Sequence, residues 1–209
     1  MKMLFLGPPG AGKGTMAVRI SALLSIPHVS TGDLFRENIN KRTPLGVKVK
    51  KTLDSGALVS DEVTIEMLET RLGLDDAVHG FILDGFPRTI LQAEALSKFS
   101  AIDHAIELRC TQEVLIRRLT GRRSCPVCRR IYHLVSMPPR VENICDDDGA
   151  RLQVREDDKL ESVNRRLALY AKETQPLSDW YGERGLLRVV NGSGEADAVL
   201  REIREAAGI

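Results

Sequence analysis

The chain has 209 residues, enough for one large domain or one domain carrying insertions, and 43% of them are apolar, enough to bury a core. A formal net charge of +1 carries no global signature of a nucleic-acid or membrane-surface binder. Four cysteines are too few for a disulfide scaffold at this length, and no run approaches the ~18 consecutive apolar residues of a membrane span.

The first element is strand-like KMLFL (2–6). Its apolar run stops at Gly7-Pro8-Pro9, too short for the core of a secretory leader, so the expected location is the cytoplasm. GPPGAGKGT (7–15) follows and opens into helix-like MAVRISALL (16–24). Strand, glycine loop and helix in that order form the context of a phosphate loop. Glycines let the backbone wrap closely around phosphate oxygens, and the N–H groups at a helix start point at an anion that the helix dipole also favours. The backbone of Gly10, Ala11, Gly12, Lys13, Gly14 and Thr15 is the candidate triphosphate cradle, with Lys13 reaching the β- and γ-phosphates. The match to G-x4-G-K-[ST] departs at Gly14, which puts the hydroxyl one residue late at Thr15 and leaves its role toward Mg²⁺ open. The plain alternative is a glycine-rich turn with no ligand.

Residues 30–59 read as small helices without a strand. Helix starts are marked by Thr31 before Gly32-Asp33, Thr43 before Pro44, Ser60 before Asp61-Glu62, and Thr111 before Gln112-Glu113. Further strand-like runs are FILD (81–84), HAIEL (104–108) and LLRVV (186–190), each followed by a turn signal and a helical pattern. This alternation predicts a parallel sheet flanked by helices, an α/β fold. Asp84 closes FILD, where an acid either holds Mg²⁺ through water or merely begins a turn.

Residues 121–158 break the rhythm with three of the four cysteines, Pro138-Pro139 and a run of aspartates. The segment is too long for a plain loop in a compact domain. The expected organisation is one core (1–29, 60–120 and 159–209) with inserts at 30–59 and 121–158. Within the second insert, Cys125-x2-Cys128 is followed after sixteen residues by Cys145, and Asp148 stands where the pattern C-x2-C-x15–20-C-x2-C has its last cysteine. A carboxylate oxygen is an acceptable ligand of tetrahedral Zn²⁺. Alternatives are His133 as the fourth ligand, a redox pair of thiols, or buried thiols without a metal. Asp146 and Asp147 read as solvated charges and Cys110 as core. The run containing Arg117, Arg118, Arg122, Arg123, Arg129 and Arg130 fits a nucleic-acid patch or a solvated face, but Arg118 and Arg122, four apart, point the same way from a helix end.

Taken together, GPPGAGKGT, STGDLFRE (30–37), GALVSDE (56–62) and LDGFPRTILQAEAL (83–96) resemble the adenylate kinases, over nearly the whole chain from Met3 to VVNGSG (189–194). The resemblance implies a P-loop NTPase core, a helical monophosphate-binding insert at 30–59 and a lid at 121–158. The lid would carry a structural zinc on Cys125, Cys128, Cys145 and Asp148, as in the three-cysteine, one-aspartate version of that family. It implies that Thr31 and Arg36 contact AMP, that the backbone of Ala57, Leu58 and Val59 lines its base, and that Gly85, Phe86, Pro87 and Arg88 close the pocket, Arg88 on the phosphate. Gln92 would read the adenine edge, since an amide donates and accepts at once. Arg118 and Arg122 would lie near the ATP base and phosphates, Arg155 and Arg166 on the phosphates in transfer, and Asp157 and Asp158 would orient the arginines. Ile131 and Tyr132 would cover the ATP base, with a backbone contact from Gly194. Asn164 stands where some relatives carry another arginine, which puts one secondary contact in doubt.

The implied activity is reversible phosphoryl transfer from Mg·ATP to AMP by a monomer that binds neither nucleic acid nor membrane. Lys13, Arg88, Arg122, Arg155 and Arg166 would neutralise charge. No general base is needed, because the AMP phosphate is already anionic, and His28, His79, His104 and His133 receive no role. Rival readings are a related kinase with CMP or UMP as acceptor or GTP as donor, a nucleotide-switched RNA binder using the zinc lid, and a plain ATPase, which would leave DGFPRT without a purpose.

Overall fold

A computed structural model describes residues 1–209. The main sheet has five strands, β1 (Lys2–Leu6), β2 (His28–Ser30), β3 (Phe81–Asp84), β4 (His104–Arg109) and, near the C-terminal end, β7 (Leu187–Asn191). They pair in the order β2-β3-β1-β4-β7, all parallel. Four of the five were legible as apolar runs. β2 was not, because three residues are too few to show a period.

Both faces of the sheet are covered, as a parallel sheet requires. Met3 and Phe5 face one way, against Met16, Ala17 and Ile20 of α1 (Lys13–Leu24) and Val199 and Ile203 of α9 (Ala196–Ala207). Leu4 and Leu6 face the other, toward Leu68 of α4 (Asp61–Leu72), Leu96 of α5 (Ile90–Phe99) and Tyr181 of α8 (Leu177–Gly182). This alternation with a period of two makes every residue of a short run useful to one core or the other.

Segments leave the sheet at its carboxyl edge on both sides of β1, the place where open α/β sheets hold ligands. Between β2 and α4 lie α2 (Thr31–Asn40) and α3 (Pro44–Asp54). Thr43 caps α3 as expected, its side chain accepting the Gly46 N–H at 3.0 Å. The cap of α2, however, is Ser30, which accepts the Asp33 N–H at 3.3 Å, and Thr31 is the first helical residue. After α6 (Gln112–Thr120) comes a two-stranded antiparallel sheet of β5 (Arg122–Ser124) and β6 (Ile131–His133). A 3-10 turn at Glu156–Asp158 then leads into α7 (Leu160–Leu169). No helix is long and apolar enough to cross a membrane.

Candidate active site

The glycine loop joins β1 to α1. Gly12 sits at φ 99°, a left-handed conformation that a side chain would strain, and turns the chain so that Lys13 begins the helix. Lys13 Nζ donates to the carbonyls of Gly7 (2.7 Å) and Pro8 (3.0 Å), which folds the lysine back over its own loop. The odd position, Gly14, has a local reason. A Cβ there would lie 3.1 Å from Asp84 Oδ2, so the carboxylate at the end of β3 takes the space beside the loop. Burial pushes Asp84 up, but the neighbouring His28 and the charges of Lys13 and Arg88 outweigh it and hold the carboxylate below its ordinary value. His28, given no role from sequence, places Nε2 3.6 Å from Asp84 Oδ2.

Lys13 is pushed down to about 8 by burial, opposed by Asp84 and reinforced by Arg88, Arg166 and Arg122. Arg88 is pushed down to about 10 by burial and by Arg166, and Arg155 to about 9 by burial, Arg36 and Arg122. Cations that depress one another in this way form a site short of negative charge. Two aspartates set their directions. Asp158, 3% exposed, takes both sides of the Arg122 guanidinium, with Nε at 2.7 Å from Oδ2. Arg166 Nη1 donates to Asp158 Oδ1 (3.0 Å) and to the Asp157 carbonyl (2.8 Å). The expected orienting role of these acids matches this geometry.

Thr31 Oγ1, at the start of α2, and Arg88 Nε both donate to the Gly85 carbonyl at 2.8 Å, which ties the start of α2 to the turn after β3. That turn contains the cis peptide Phe86–Pro87. Arg36 is held by Asp33 at 2.7 Å. Ala57, Leu58 and Val59 lie half-buried on the stretch between α3 and α4. Gln92 is buried and fully occupied on one side. Its Oε1 accepts the Arg88 N–H (2.8 Å) and its Nε2 donates to Asp61 Oδ1 (2.7 Å).

At the end of α6, Arg118 donates to the carbonyls of Gly192 (2.7 Å), Gly194 (3.2 Å) and Ala11 (3.3 Å), tying α6, the glycine loop and the β7–α9 turn together. Cys110 packs against the larger core cluster, with Sγ 3.8 Å from the Ala11 carbonyl. Tyr132 departs from the expectation that it covers a base. Its ring is 1% exposed inside the lid, because its hydroxyl accepts the Asp146 N–H at 2.8 Å and lies 3.4 Å from Cys145 Sγ. Only its backbone, and half-buried Ile131, are left for a nucleotide.

In the lid, the ligand atoms of Cys125, Cys128, Cys145 and Asp148 all lie within 4.8 Å of one another. Cys128 and Cys145 Sγ are 3.5 Å apart, and Cys125 Sγ is 3.2 Å from Asp148 Oδ2. Zinc–sulfur bonds of about 2.3 Å arranged tetrahedrally put sulfurs about 3.8 Å apart, so the four groups fit such an ion with small relaxation. Backbone N–H groups of Val127 (3.3 Å) and Cys128 (3.4 Å) point at Cys125 Sγ, an environment that suits a thiolate. The Ala150 N–H and the thiols of Cys128 and Cys125 hold Asp148 below the usual carboxylate range. His133 is excluded as the fourth ligand. Its Nδ1 accepts the N–H of Val135 (3.2 Å) and Ser136 (3.1 Å), and its Nε2 lies 3.3 Å from the Arg117 carbonyl.

A glycine loop between strand and helix, a buried acid beside it and a ring of cations define a P-loop phosphotransferase. The sequence model of the adenylate kinase family matches residues 5–186. The adenylate kinase of Caldanaerobacter subterraneus subsp. tengcongensis is 48% identical over 211 residues, covering 99% of this chain and 96% of that one. Those of Clostridium beijerinckii and Bacillus subtilis are 49% and 47% identical over 213 residues, covering 100% of this chain and 99% and 98% of theirs. The chain belongs to the adenylate kinase family, and its function is that of an adenylate kinase.

Three features of the site had no sequence signal strong enough to find them. Asp61 looked like a first-turn helix acid, Tyr132 like a base cover, and Arg129 like part of a basic run. Arg129 adopts φ 67° beside Cys128 and reaches from the lid to Glu37 on α2 at 3.3 Å.

Proposed function

We propose that the cleft between the glycine loop, residues 30–59 and residues 121–158 binds Mg·ATP and AMP together and transfers the γ-phosphoryl group reversibly, giving two ADP. The observation that carries this reading is the gathering of cations at one cleft: Lys13 folded over its loop beside Asp84, and Arg122 and Arg166 both held by buried Asp158, with Arg88 and Arg155 acting electrostatically on the same groups. One nucleotide's phosphates would not need so many converging cations.

The backbone of residues 10–15 and Lys13 would hold the β- and γ-phosphates of ATP, with Arg122 on the same chain of phosphates. Arg118 and the backbone of Ile131, Tyr132 and Gly194 would border its base. Thr31, Arg36, the backbone of Ala57, Leu58 and Val59, the turn Gly85–Arg88 and Gln92 would enclose AMP. An oxygen of the AMP phosphate attacks the γ-phosphorus, the bond from that phosphorus to the β–γ bridging oxygen breaks, and ADP leaves. The attacking oxygen is already anionic, so no residue has to remove a proton. Arg88, Arg155 and Arg166 would hold acceptor and transferred phosphates in line, and their positive charge offsets the charge spread over the equatorial oxygens. Arginine suits this because it stays charged and grips phosphate with two parallel N–H groups. Ionised Asp84, beside the loop, fits a carboxylate that holds Mg²⁺ through water. The ion would neutralise β- and γ-oxygens during transfer.

Closure of the two inserts would exclude water, the competing acceptor. Zinc on Cys125, Cys128, Cys145 and Asp148 would be structural, since four protein ligands leave no open position. The protein would act as a cytoplasmic monomer without nucleic acid or membrane. Phosphoryl transfer from Mg·ATP to AMP, CMP, UMP, GMP or water tests the reading. Strong preference for AMP, with two ADP formed per AMP consumed, is expected. Hydrolysis indifferent to AMP would overturn it.

A further inference from the structure

Gln92 occupies the third position of α5, whose cap Thr89 accepts the Gln92 N–H at 3.2 Å. Its Oε1 reaching back to the Arg88 N–H at 2.8 Å completes an arrangement close to a capping box. Helix capping asks nothing more of the side chain. Yet Nε2 is also bound, at 2.7 Å, by Asp61 Oδ1, from the first residue of α4, thirty-one positions away. Asp61 is itself held by the Thr89 hydroxyl at 3.1 Å. This contact is not needed to start either helix.

Its consequence is chemical. An amide has a direction, and an unrestrained glutamine can turn over to present either end. Here a group that only donates, the Arg88 N–H, meets one end, and a carboxylate meets the other. Turning the amide over would set oxygen against carboxylate and N–H against N–H, losing both bonds inside a buried site. One N–H of Nε2 and one lone pair of Oε1 remain, in a fixed order. A 6-aminopurine offers N6–H to the oxygen and N1 to the N–H. A 6-oxopurine offers an oxygen and an N1–H in the reverse order and would meet two repulsions.

We propose that Asp61 is a specificity-determining positioning residue. By locking the polarity of the Gln92 amide, it lets the acceptor site take 6-aminopurine monophosphates and reject 6-oxopurine ones. The proposal rests on the reading that Gln92 faces the acceptor base.

IMP differs from AMP only at this edge, so the ratio of kcat/KM for AMP to that for IMP is the readout. A role confined to helix stability would lower both and leave the ratio alone. A correctly oriented bidentate contact discriminates bases by roughly tenfold to a hundredfold. Asp61→Ala is expected to narrow the ratio about tenfold or more, chiefly through KM. Asp61→Asn keeps the shape and an acceptor oxygen but loses the charge, and is expected to narrow it several-fold less. Melting curves show which variants fold; if Asp61→Ala does not, the smaller narrowing in Asp61→Asn decides. Gln92→Ala separates the two layers. If it leaves the ratio unchanged, Gln92 does not face the base and the proposal falls with that reading. If Gln92→Ala abolishes discrimination while no folded Asp61 variant narrows it, Gln92 reads the base without Asp61 and the proposal alone is overturned.

Discussion

The five-stranded sheet buries clusters of 14 and 13 residues on its two faces, whereas the lid's own cluster has four members, two of them thiols. A fully buried aliphatic or aromatic side chain contributes about 1.5–3 kcal/mol, so the sheet can hold its shape through apolar burial alone. A cluster of Cys125, Tyr132, Cys145 and Leu152 cannot. The lid instead brings four metal-ligating groups within 4.8 Å and cross-braces them, with Tyr132 hydrogen-bonded to the Asp146 N–H beside Cys145. One region is stabilised by area and the other by a point. They should therefore fail separately.

Metal removal gives the largest separation. Structural zinc sites contribute about 10–16 kcal/mol in isolated fingers, and loss of even about 3 kcal/mol would lower the midpoint of a chain this size by roughly 6–12 °C. Complete chelation is expected to open residues 121–158 to protease while the far-ultraviolet signal of the sheet and its helices persists. Equal loss of both, or of neither, would break the comparison.

The smaller effect lies on the sheet side and depends on pH. In the nucleotide-free protein Lys13 is held near 8 by burial and neighbouring cations. A bound triphosphate favours the charged form and raises that value, so binding takes up a proton once the free lysine has lost its own. ATP affinity is then expected to be flat below pH 8 and to fall by up to about tenfold per unit above it. Calorimetry in two buffers of different ionisation enthalpy would register the uptake at pH 9. Constant affinity to pH 9.5 would mean that Lys13 does not carry the phosphates. Chelation should leave this profile in place wherever binding survives.

The same contrast governs what could be read in advance. Long apolar runs announce strands, and glycine spacing announces a loop whose function depends on backbone, so β1, β3, β4, β7 and residues 7–15 were legible. The convergence of Cys125, Cys128, Cys145 and Asp148 was legible too, since spacing restricts which thiols can meet, and Asp148 was found by its place in the pattern. Contacts made by single polar side chains across the fold leave no period. The bond between Asp61 and Gln92, the ion pair between Arg129 and Glu37, and the approach of His28 to Asp84 depend on how loops from distant elements meet. The burial of the Tyr132 side chain inside the lid was not legible for a related reason. Alternation along a three-residue strand such as β6 does not tell which face is inside.

The central claim is that the cations converging on Asp84 neutralise phosphates in transfer, and Arg88→Ala tests it most directly. Arg88 couples electrostatically to Arg166, Asp84 and Arg36, and its backbone N–H and carbonyl, which the substitution keeps, make the bonds to Gln92 and Thr174. Turnover with Mg·ATP and AMP is expected to fall by about 10²–10³-fold or more with the melting midpoint nearly unchanged. Near-normal turnover in that folded variant would contradict the account.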